Sequence, residues 1–338
     1  MMLYYFKICL IIFFSFFVLN LLSNKLLILK SKFYSPHQKL VGTESVPLIG
    51  GIIFFISLCF TPTFNDELII YCSFVLLILG ILSDIDYLKS PFTRLSLQLL
   101  VILIFLFFSE LRINDLRIDY LKLIFSNYYL GLFFSTFCLL IILNGSNFID
   151  GLNGLNLGYF LIVLIVLLLA SIFKKFNINY ESVVPLIMVV SFLLILNYLN
   201  YLYIGDSGAY LIGFVIGIYI LKIHTANPLI SPYFFALLLW YPAFENFFSI
   251  LRKKIHRYES TLPDTKHLHQ LIYRYLFKKN FRYSQFSNQI SSILINVYNL
   301  CIFLFSINFL DKTLYLCILI IFNIFIYLSV YSALRVKY

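Results

Sequence analysis

The sequence predicts an all-α integral membrane protein with about eleven transmembrane helices, on the basis of its composition and its apolar runs. Of 338 residues, 62% are hydrophobic and only 12% are charged, whereas about a quarter of the residues of a typical soluble domain are charged. The apolar residues follow one another in runs long enough to approach the roughly 20 residues that a helix needs to cross a bilayer. A large aqueous domain is therefore excluded, and we expect one polytopic domain over residues 1–338.

The apolar runs give the expected helices in order. Several runs are short, so a total of ten is also compatible with the pattern. The first run has no small-residue cleavage site, which indicates a span rather than a signal peptide. The runs lie near 3–23, 47–62, 69–82, 95–109, 129–143, 157–173, 183–197, 209–223, 233–250, 289–309 and 313–334.

The basic residues predict the orientation of these helices. With eleven crossings, one set of loops and the C-terminal tail share a side and carry seventeen of the 25 Lys and Arg residues. Cytoplasmic loops are enriched in Lys and Arg, so this side is predicted to be cytoplasmic and the N-terminus external. All histidines except His224 fall on the same side. The loops are 24–46, 83–94, 144–156, 198–208 and 251–288.

The net charge of +10 does not indicate nucleic-acid binding, because the basic residues lie in short loops beside apolar runs. Such residues set the topology and contact anionic lipid or phosphate of the bilayer surface. The six cysteines all lie inside apolar runs without metal-ligand spacing. We expect them to be small core residues rather than disulfide or zinc ligands.

Two carboxylates, Asp84 and Asp86, follow directly after the third apolar run. Asp84 falls at the predicted C-terminal end of a helix, where the helix dipole disfavours negative charge. This placement predicts a partner, either a metal ion or the basic residues Lys89 and Arg94. Turn formation by the aspartates is the alternative.

The stretch from Asn144 to Leu155 places four amide or carboxylate side chains among three glycines, between two long apolar runs. Its polar groups would lack partners in hydrocarbon, so it must lie at a membrane surface. A turn accounts for one or two such residues but not for four. The four are Asn144, Asn147, Asp150 and Asn153.

The eighth run opens with Gly205-Asp206-Ser207-Gly208. Asp206 or Ser207 could be the N-cap of this helix. A carboxylate beside the free N–H groups of a helix start can also bind phosphate through a hard cation, and this is the favoured interpretation.

Two basic loops supply the remaining candidates. The loop 251–288 has a positive field suited to an anionic substrate and contains His267-Leu268-His269. Two histidines alone are weak support for zinc, and they suit contact with phosphate or sugar, with a solvated pair as the alternative. In the first loop, Lys39 is a weaker candidate for pairing with phosphate.

The ninth run is interrupted by Trp240, Tyr241 and Pro242. Proline inside a helix produces a kink, which would open a groove for a hydrocarbon ligand. A kink that serves packing alone is an equally good interpretation.

Together these motifs resemble the polyprenyl-phosphate N-acetylhexosamine-1-phosphate transferases, the membrane family that includes the phospho-N-acetylmuramoyl-pentapeptide transferases. The similarity covers nearly the whole chain, and nucleotide-binding loops of the ordinary kinds are absent. Each motif alone is weak, but five in order on one predicted membrane face are specific. The motifs are Pro47-Leu-Ile-Gly-Gly51, Ser83-Asp84, Asn147-Phe-Ile-Asp150-Gly-Leu-Asn-Gly154, Gly205-Asp-Ser-Gly208 and His267-Leu-His269.

The resemblance implies transfer of a sugar-1-phosphate from a UDP-N-acetylamino sugar to a polyprenyl phosphate such as undecaprenyl phosphate, with release of UMP. It implies Mg²⁺, with Mn²⁺ as an alternative, and a cytoplasmic active site in a bacterial inner membrane. Asp206 would bind the metal, Asp84 would act near the acceptor phosphate, and Asn147 and Asp150 would position the donor. Asn153, His267, His269 and Lys39 would add contacts to the substrates.

Several departures from the family pattern bear on this expectation. Ser83 stands where the family usually has the first of two adjacent aspartates, which puts a mechanism with that carboxylate as base in doubt. Asn153 and His267-Leu268-His269 favour the branch that initiates polysaccharides over the peptidoglycan branch. A secondary transporter of an anionic or lipid-linked solute, and an inactive protein of the same fold, remain alternatives, and a homodimer is left open.

Overall fold

The computed structural model describes residues 2–26, 46–61, 66–174, 176–255, 266–279 and 286–336. These ranges contain fourteen α-helices joined by loops. They are α1 (Met2–Leu26), α2 (Gly50–Cys59), α3 (Glu67–Asp84), α4 (Pro91–Ser109), α5 (Asp119–Ser126), α6 (Tyr128–Ile149), α7 (Leu155–Lys174), α8 (Tyr180–Tyr198), α9 (Gly205–Ala226), α10 (Pro232–Leu238), α11 (Trp240–Ile255), α12 (Leu268–Lys279), α13 (Ser287–Ser306) and α14 (Thr313–Arg335).

The predicted multi-pass membrane architecture is confirmed. Within the described ranges, nine helices are long and apolar enough to cross a membrane, and α10 with α11 forms a tenth, bent candidate. The remaining predicted run corresponds to α2, a helix of only 10 residues. Each of the eleven apolar runs is thus helical, but α2 alone is too short to cross a bilayer.

Helix α9 is the centre of the bundle. Within its membrane span 78% of the residues are buried, against 17% for α14 and 22% for α1, which lie at the periphery. It packs against α2, α3 and α6. A helix that is apolar on all sides is expected in such a buried position.

Glycines allow α2 and α3 to approach the first turn of α9. A Cβ atom on Gly80 of α3 would lie 2.2 Å from Ser207 Cα, and one on Gly51 of α2 would lie 2.5 Å from the Gly208 nitrogen. Small residues at helix crossings permit this close approach of backbones within membranes. The polar ends of these helices therefore meet at one end of the bundle.

Residues at the starts of α2 and α3 contact opposite ends of α9. At the start of α9, the Gly50 N–H donates to Tyr203 O at 3.1 Å. Near the end of α9, Lys222 Nζ forms an ion pair with Asp66 at 3.2 Å. Gly50, at the start of α2, and Asp66, just before α3, thus lie at opposite ends of the bundle.

The predicted kink of the ninth run is confirmed, since α10 and α11 meet at 71°. Pro242 lies in the first turn of α11, where its missing N–H costs no hydrogen bond within the helix. The Tyr159 hydroxyl donates to Leu238 O at 2.9 Å and thereby satisfies a carbonyl at the break. Backbone groups freed by a break inside a membrane need such partners.

We expect Gly80→Ala to destabilise the protein by about 1–3 kcal/mol, because the added methyl group would push α3 away from the backbone of α9. The measurement is thermal unfolding of the purified protein in detergent. Gly217→Ala in α9 is the matched control, since its Cβ would be closest to the end of the Leu139 side chain, at 2.8 Å. Equal unfolding temperatures for the two variants would contradict the expectation.

Candidate active site

The carboxylate of Asp84, at the end of α3, caps the start of α9. Its Oδ1 accepts a hydrogen bond from the Asp206 N–H at 2.8 Å, and its Oδ2 accepts one from the Ser207 N–H at 3.2 Å. The positive end of the α9 dipole thus compensates the unfavourable position of Asp84 on its own helix. The partner of Asp84 among the described residues is therefore a helix start, whereas the sequence predicted a metal ion or the basic residues Lys89 and Arg94.

Gly205 makes this cap possible. Its φ is +67°, a conformation that disfavours side chains, and a Cβ there would lie 2.7 Å from Asp84 Oδ2. Ile204 is the N-cap residue and makes no side-chain capping bond. The interpretation of Asp206 or Ser207 as the N-cap is therefore wrong.

Asp206 is paired with Arg94 and Ser83. Arg94 Nη1 donates to Asp206 Oδ2 at 3.1 Å and to Ser83 Oγ at 2.7 Å, and Ser83 Oγ donates to the same carboxylate oxygen at 2.5 Å. The Oδ1 atom of Asp206 accepts no hydrogen bond from the described residues. Ser83, at the position of the family's usual aspartate, therefore supports Asp206 instead of adding a charge.

Asn147 and Asp150 approach this cluster from the end of α6. Asn147 Nδ2 lies 3.5 Å from the Tyr210 hydroxyl, which in turn lies 3.5 Å from Asp206 Oδ2. Asp150 is the C-cap of α6, and its carboxylate accepts no hydrogen bond from the described residues. Burial raises the pKa of the Asp150 carboxyl well above its usual range, and the negative charges of Asp206 and Asp84 raise it further.

The side chains of the site could hold a hard divalent cation only together with oxygen atoms from the substrates. Within the described ranges, no group of three or more His, Cys, Asp or Glu side chains is arranged to bind a metal ion. Mg²⁺, however, usually keeps several waters and takes one or two protein carboxylates together with substrate phosphates. The unused oxygen of Asp206 and the carboxylate of Asp150 fit this need.

The other predicted site residues have different surroundings. Asn153 is buried, and its side chain donates to Asn200 Oδ1 at 2.6 Å while its backbone N–H donates to Asn288 Oδ1 at 3.0 Å. These bonds favour a role in holding loops together. Lys39 lies outside the described residues.

His267 and His269 are buried, with 3% and 0% exposure, and their rings are stacked. His267 Nδ1 lies 2.8 Å from Glu245 Oε1 in α11. Sequence reasoning missed Glu245 and Tyr210 because each lies inside an apolar run. A lone glutamate within such a run is itself a signal of function, and it could have been noticed.

The fold and the site define a multi-pass membrane enzyme with a carboxylate-rich site at one end of its helices. The family model described as "Glycosyl transferase family 4" matches residues 67–224, a range that contains Asp84, Asp150 and Asp206. The motifs of the sequence point to the same family.

Curated relatives agree with this assignment. A probable undecaprenyl-phosphate N-acetylglucosaminyl 1-phosphate transferase of Bacillus subtilis is 25% identical over 308 residues, covering 87% of this chain and 82% of the relative. An undecaprenyl-phosphate alpha-N-acetylglucosaminyl 1-phosphate transferase of Escherichia coli is 26% identical over 285 residues, covering 77% and 73%. A phospho-N-acetylmuramoyl-pentapeptide-transferase of Dictyoglomus thermophilum is 30% identical over 190 residues, covering 53% and 59%.

We expect Asp150→Asn to raise the unfolding temperature of EDTA-treated protein at neutral pH. Because the pKa of Asp150 is raised in the folded state, folding favours its protonated form, and this stabilisation is lost as the pH rises through the folded-state pKa. Asparagine cannot ionise, so the advantage of the variant should shrink as the pH is lowered.

Asp86→Asn is the control, since Asp86 is exposed in the turn after α3. Thermal unfolding as a function of pH measures both variants. If Asp150→Asn unfolds at the same temperature as the wild type throughout, the carboxylate is not destabilised by its surroundings.

Proposed function

We propose that this protein transfers a sugar-1-phosphate from a UDP-N-acetylhexosamine to undecaprenyl phosphate and so initiates a cell-surface glycan. An oxygen of the acceptor phosphate attacks the phosphorus that bears the sugar. The bond from that phosphorus to the bridging oxygen breaks, and UMP leaves with that oxygen. The observation that carries the proposal is the cluster of Asp84, Asp150, Asp206 and Arg94 at the end of a membrane bundle.

Positioning and charge neutralisation are the main requirements of phosphoryl transfer. Mg²⁺, held by Asp206 with Asp150 nearby, would neutralise charge on the donor diphosphate. Arg94 fixes the orientation of Asp206 through its bond to Oδ2, which leaves Oδ1 available. Asn147, linked to Asp206 through Tyr210, is placed to orient the donor.

The replacement of an aspartate by Ser83 is compatible with this reaction. The second pKa of a phosphate monoester is about 6, so the acceptor is mostly dianionic at neutral pH and needs no general base. Both oxygens of Asp84 accept backbone N–H groups at the start of α9. We therefore assign it the task of holding the start of α9 in place beside the acceptor phosphate.

The acceptor's hydrocarbon chain is proposed to follow the kinked ninth span. An apolar cavity of about 250 Å³ lies between α6, α9 and the α10–α11 bend. Its walls include Phe134, Cys138, Gly217 and Ala243. The cavity would bury part of the chain while the phosphate group reaches the carboxylates.

The proposed topology has eleven crossings, an external N-terminus and a cytoplasmic C-terminus. The positions of Gly50 and Asp66 at opposite ends of α9 support a crossing at α2 despite its short helix. The excess of Lys and Arg in loops on the side of the carboxylates supports a cytoplasmic active site in a bacterial inner membrane. The whole chain forms one transferase domain, with 251–288 as a cytoplasmic loop.

A secondary transporter would more often carry essential polar groups near mid-membrane. Here Asp84, Asp150 and Asp206 lie together at helix ends, and the relatives named above are transferases. Both findings favour the transferase over the transporter.

The topology is tested with reporter fusions. A fluorescent protein fused after Tyr338 is expected to fluoresce, and alkaline phosphatase at the same position is expected to be inactive, because the C-terminus is cytoplasmic. Fusions after Asn227, in a loop predicted to be external, are the matched control and should give the reverse pattern. The same pattern at both positions would contradict the eleven-crossing arrangement.

The activity is tested by UMP release from a panel of UDP-N-acetylhexosamines. We expect release that requires undecaprenyl phosphate and Mg²⁺, and a loss of at least about 100-fold in Asp206→Asn, because transition-state charge would go uncompensated. Asp86→Asn is the control and should retain wild-type turnover.

Three outcomes would point elsewhere. Flux of solute into sealed vesicles that survives Asp206→Asn would indicate a transporter. Binding of a UDP-sugar without UMP release would indicate an inactive protein of this fold. Loss of activity in Asp86→Asn would show that Asp86 replaces the carboxylate missing at Ser83.

A further inference from the structure

Glu245 is a fully buried carboxylate that lies outside the cluster described above. It is in α11 with 0% exposure, and it accepts hydrogen bonds from three groups. These are His267 Nδ1 at 2.8 Å, the Tyr327 hydroxyl at 2.8 Å and the Leu268 N–H at 3.4 Å. Burying a carboxylate is costly unless it is paired, so its complete set of partners indicates a specific task.

Arg252, two turns further along α11, holds the same segment of chain. Its Nη1 donates to Lys266 O at 2.6 Å and to the Tyr331 hydroxyl at 2.9 Å. Tyr327 and Tyr331 lie one turn apart on α14, with nearly parallel rings whose centroids are 6.2 Å apart. Glu245 and Arg252 of α11 therefore hold the backbone that enters α12. Each of them is also bonded to a tyrosine of α14.

The two histidines transmit this support to the loop after α6. The His267 ring lies 5.4 Å from the Phe148 ring and is stacked on His269 at 5.5 Å with an interplanar angle of 11°. His269 packs on Gly151, where a Cβ would lie 2.6 Å from Nε2. Phe148 and Gly151 flank Asp150, so the histidine pair supports the loop on both sides of that carboxylate.

We propose that Glu245 is a positioning residue for this transfer reaction. By holding Nδ1 of His267 it fixes the orientation of the imidazole, which packs on Phe148 in the last turn of α6, and, through His269, the position of Gly151 in the loop that follows. That loop places Asp150 beside Asp206. The inference rests on the function proposed above, and it assigns a role to residues beyond the matched range 67–224.

The test compares variants that each remove one polar group. Glu245→Gln keeps the side-chain volume but replaces one acceptor oxygen by an NH₂ group, so it cannot hold His267 and Tyr327 as before. Tyr327→Phe removes one hydroxyl that bonds to Glu245. Tyr298→Phe is the matched control, since it removes a hydroxyl that bonds to Asn323 of the same helix α14, away from Glu245.

UMP release by purified full-length protein, measured against the concentration of the UDP-N-acetylhexosamine in the panel that is turned over fastest, gives kcat and KM per folded molecule. We expect Glu245→Gln to lower kcat by about 10- to 100-fold with little change in KM, as for other carboxylates that orient a functional histidine. Tyr327→Phe should show a smaller loss, and Tyr298→Phe none. Glu245→Gln should cause no further loss in a His267→Gln background, because both act through the same ring.

Three results would overturn the inference. They are wild-type kcat in Glu245→Gln, a lowered unfolding temperature with unchanged kcat per folded molecule, and losses that add in the double variant. If the wild type and Tyr298→Phe both release no UMP, the proposed function itself is wrong and the inference falls with it. If both release UMP and Glu245→Gln matches them, only the inference is wrong.

Discussion

The close approach of α3 to the first turn of α9 is the constraint on which the rest of the structure depends. It lets the carboxylate of Asp84, at the unfavourable end of one helix, accept N–H groups at the favourable end of another, which offsets part of the cost of burying that carboxylate beside Asp206. The same geometry places Asp206 one residue into α9, where Arg94 and Ser83 reach it. Glycines at the crossing make the approach possible, and a methyl group at Gly80 would prevent it.

This arrangement brings the carboxylates of Asp84, Asp150 and Asp206 together at the candidate active site, where the basic side chains of the described residues do not fully neutralise them. Arg94 is bonded to one oxygen of Asp206, whereas Asp150 has no hydrogen-bond partner among the described residues. Under the proposed function, a cation and the substrate phosphates would balance this charge when they bind. Preorganisation of this kind, in which the protein accepts the cost of unbalanced charge before the substrate binds, is what the proposed reaction would require.

The second layer of support comes from the C-terminal part of the chain. Glu245, Arg252 and the tyrosines of α14 hold the histidine pair, and the histidines hold the loop that carries Asp150. Helix α14 is the most exposed of the membrane helices within the described ranges, yet its two buried tyrosines reach this network. The carboxylate cluster and its supports therefore extend from α3 to α14.

The sequence by itself determined the class of fold, the order of the helices and the identity of Asp84, Asp150 and Asp206 as a set. Hydrophobic run length and the position of polar residues relative to those runs are local properties, and they can be read without coordinates. Only the tertiary structure decided which partner each polar group has. Asp84 caps a backbone that is 122 residues away from it in the chain, and Glu245 of α11 contacts His267, which precedes α12. Such pairings depend on which helices cross each other. Glycines in the sequence permit a close crossing, but they do not specify which helix is the partner.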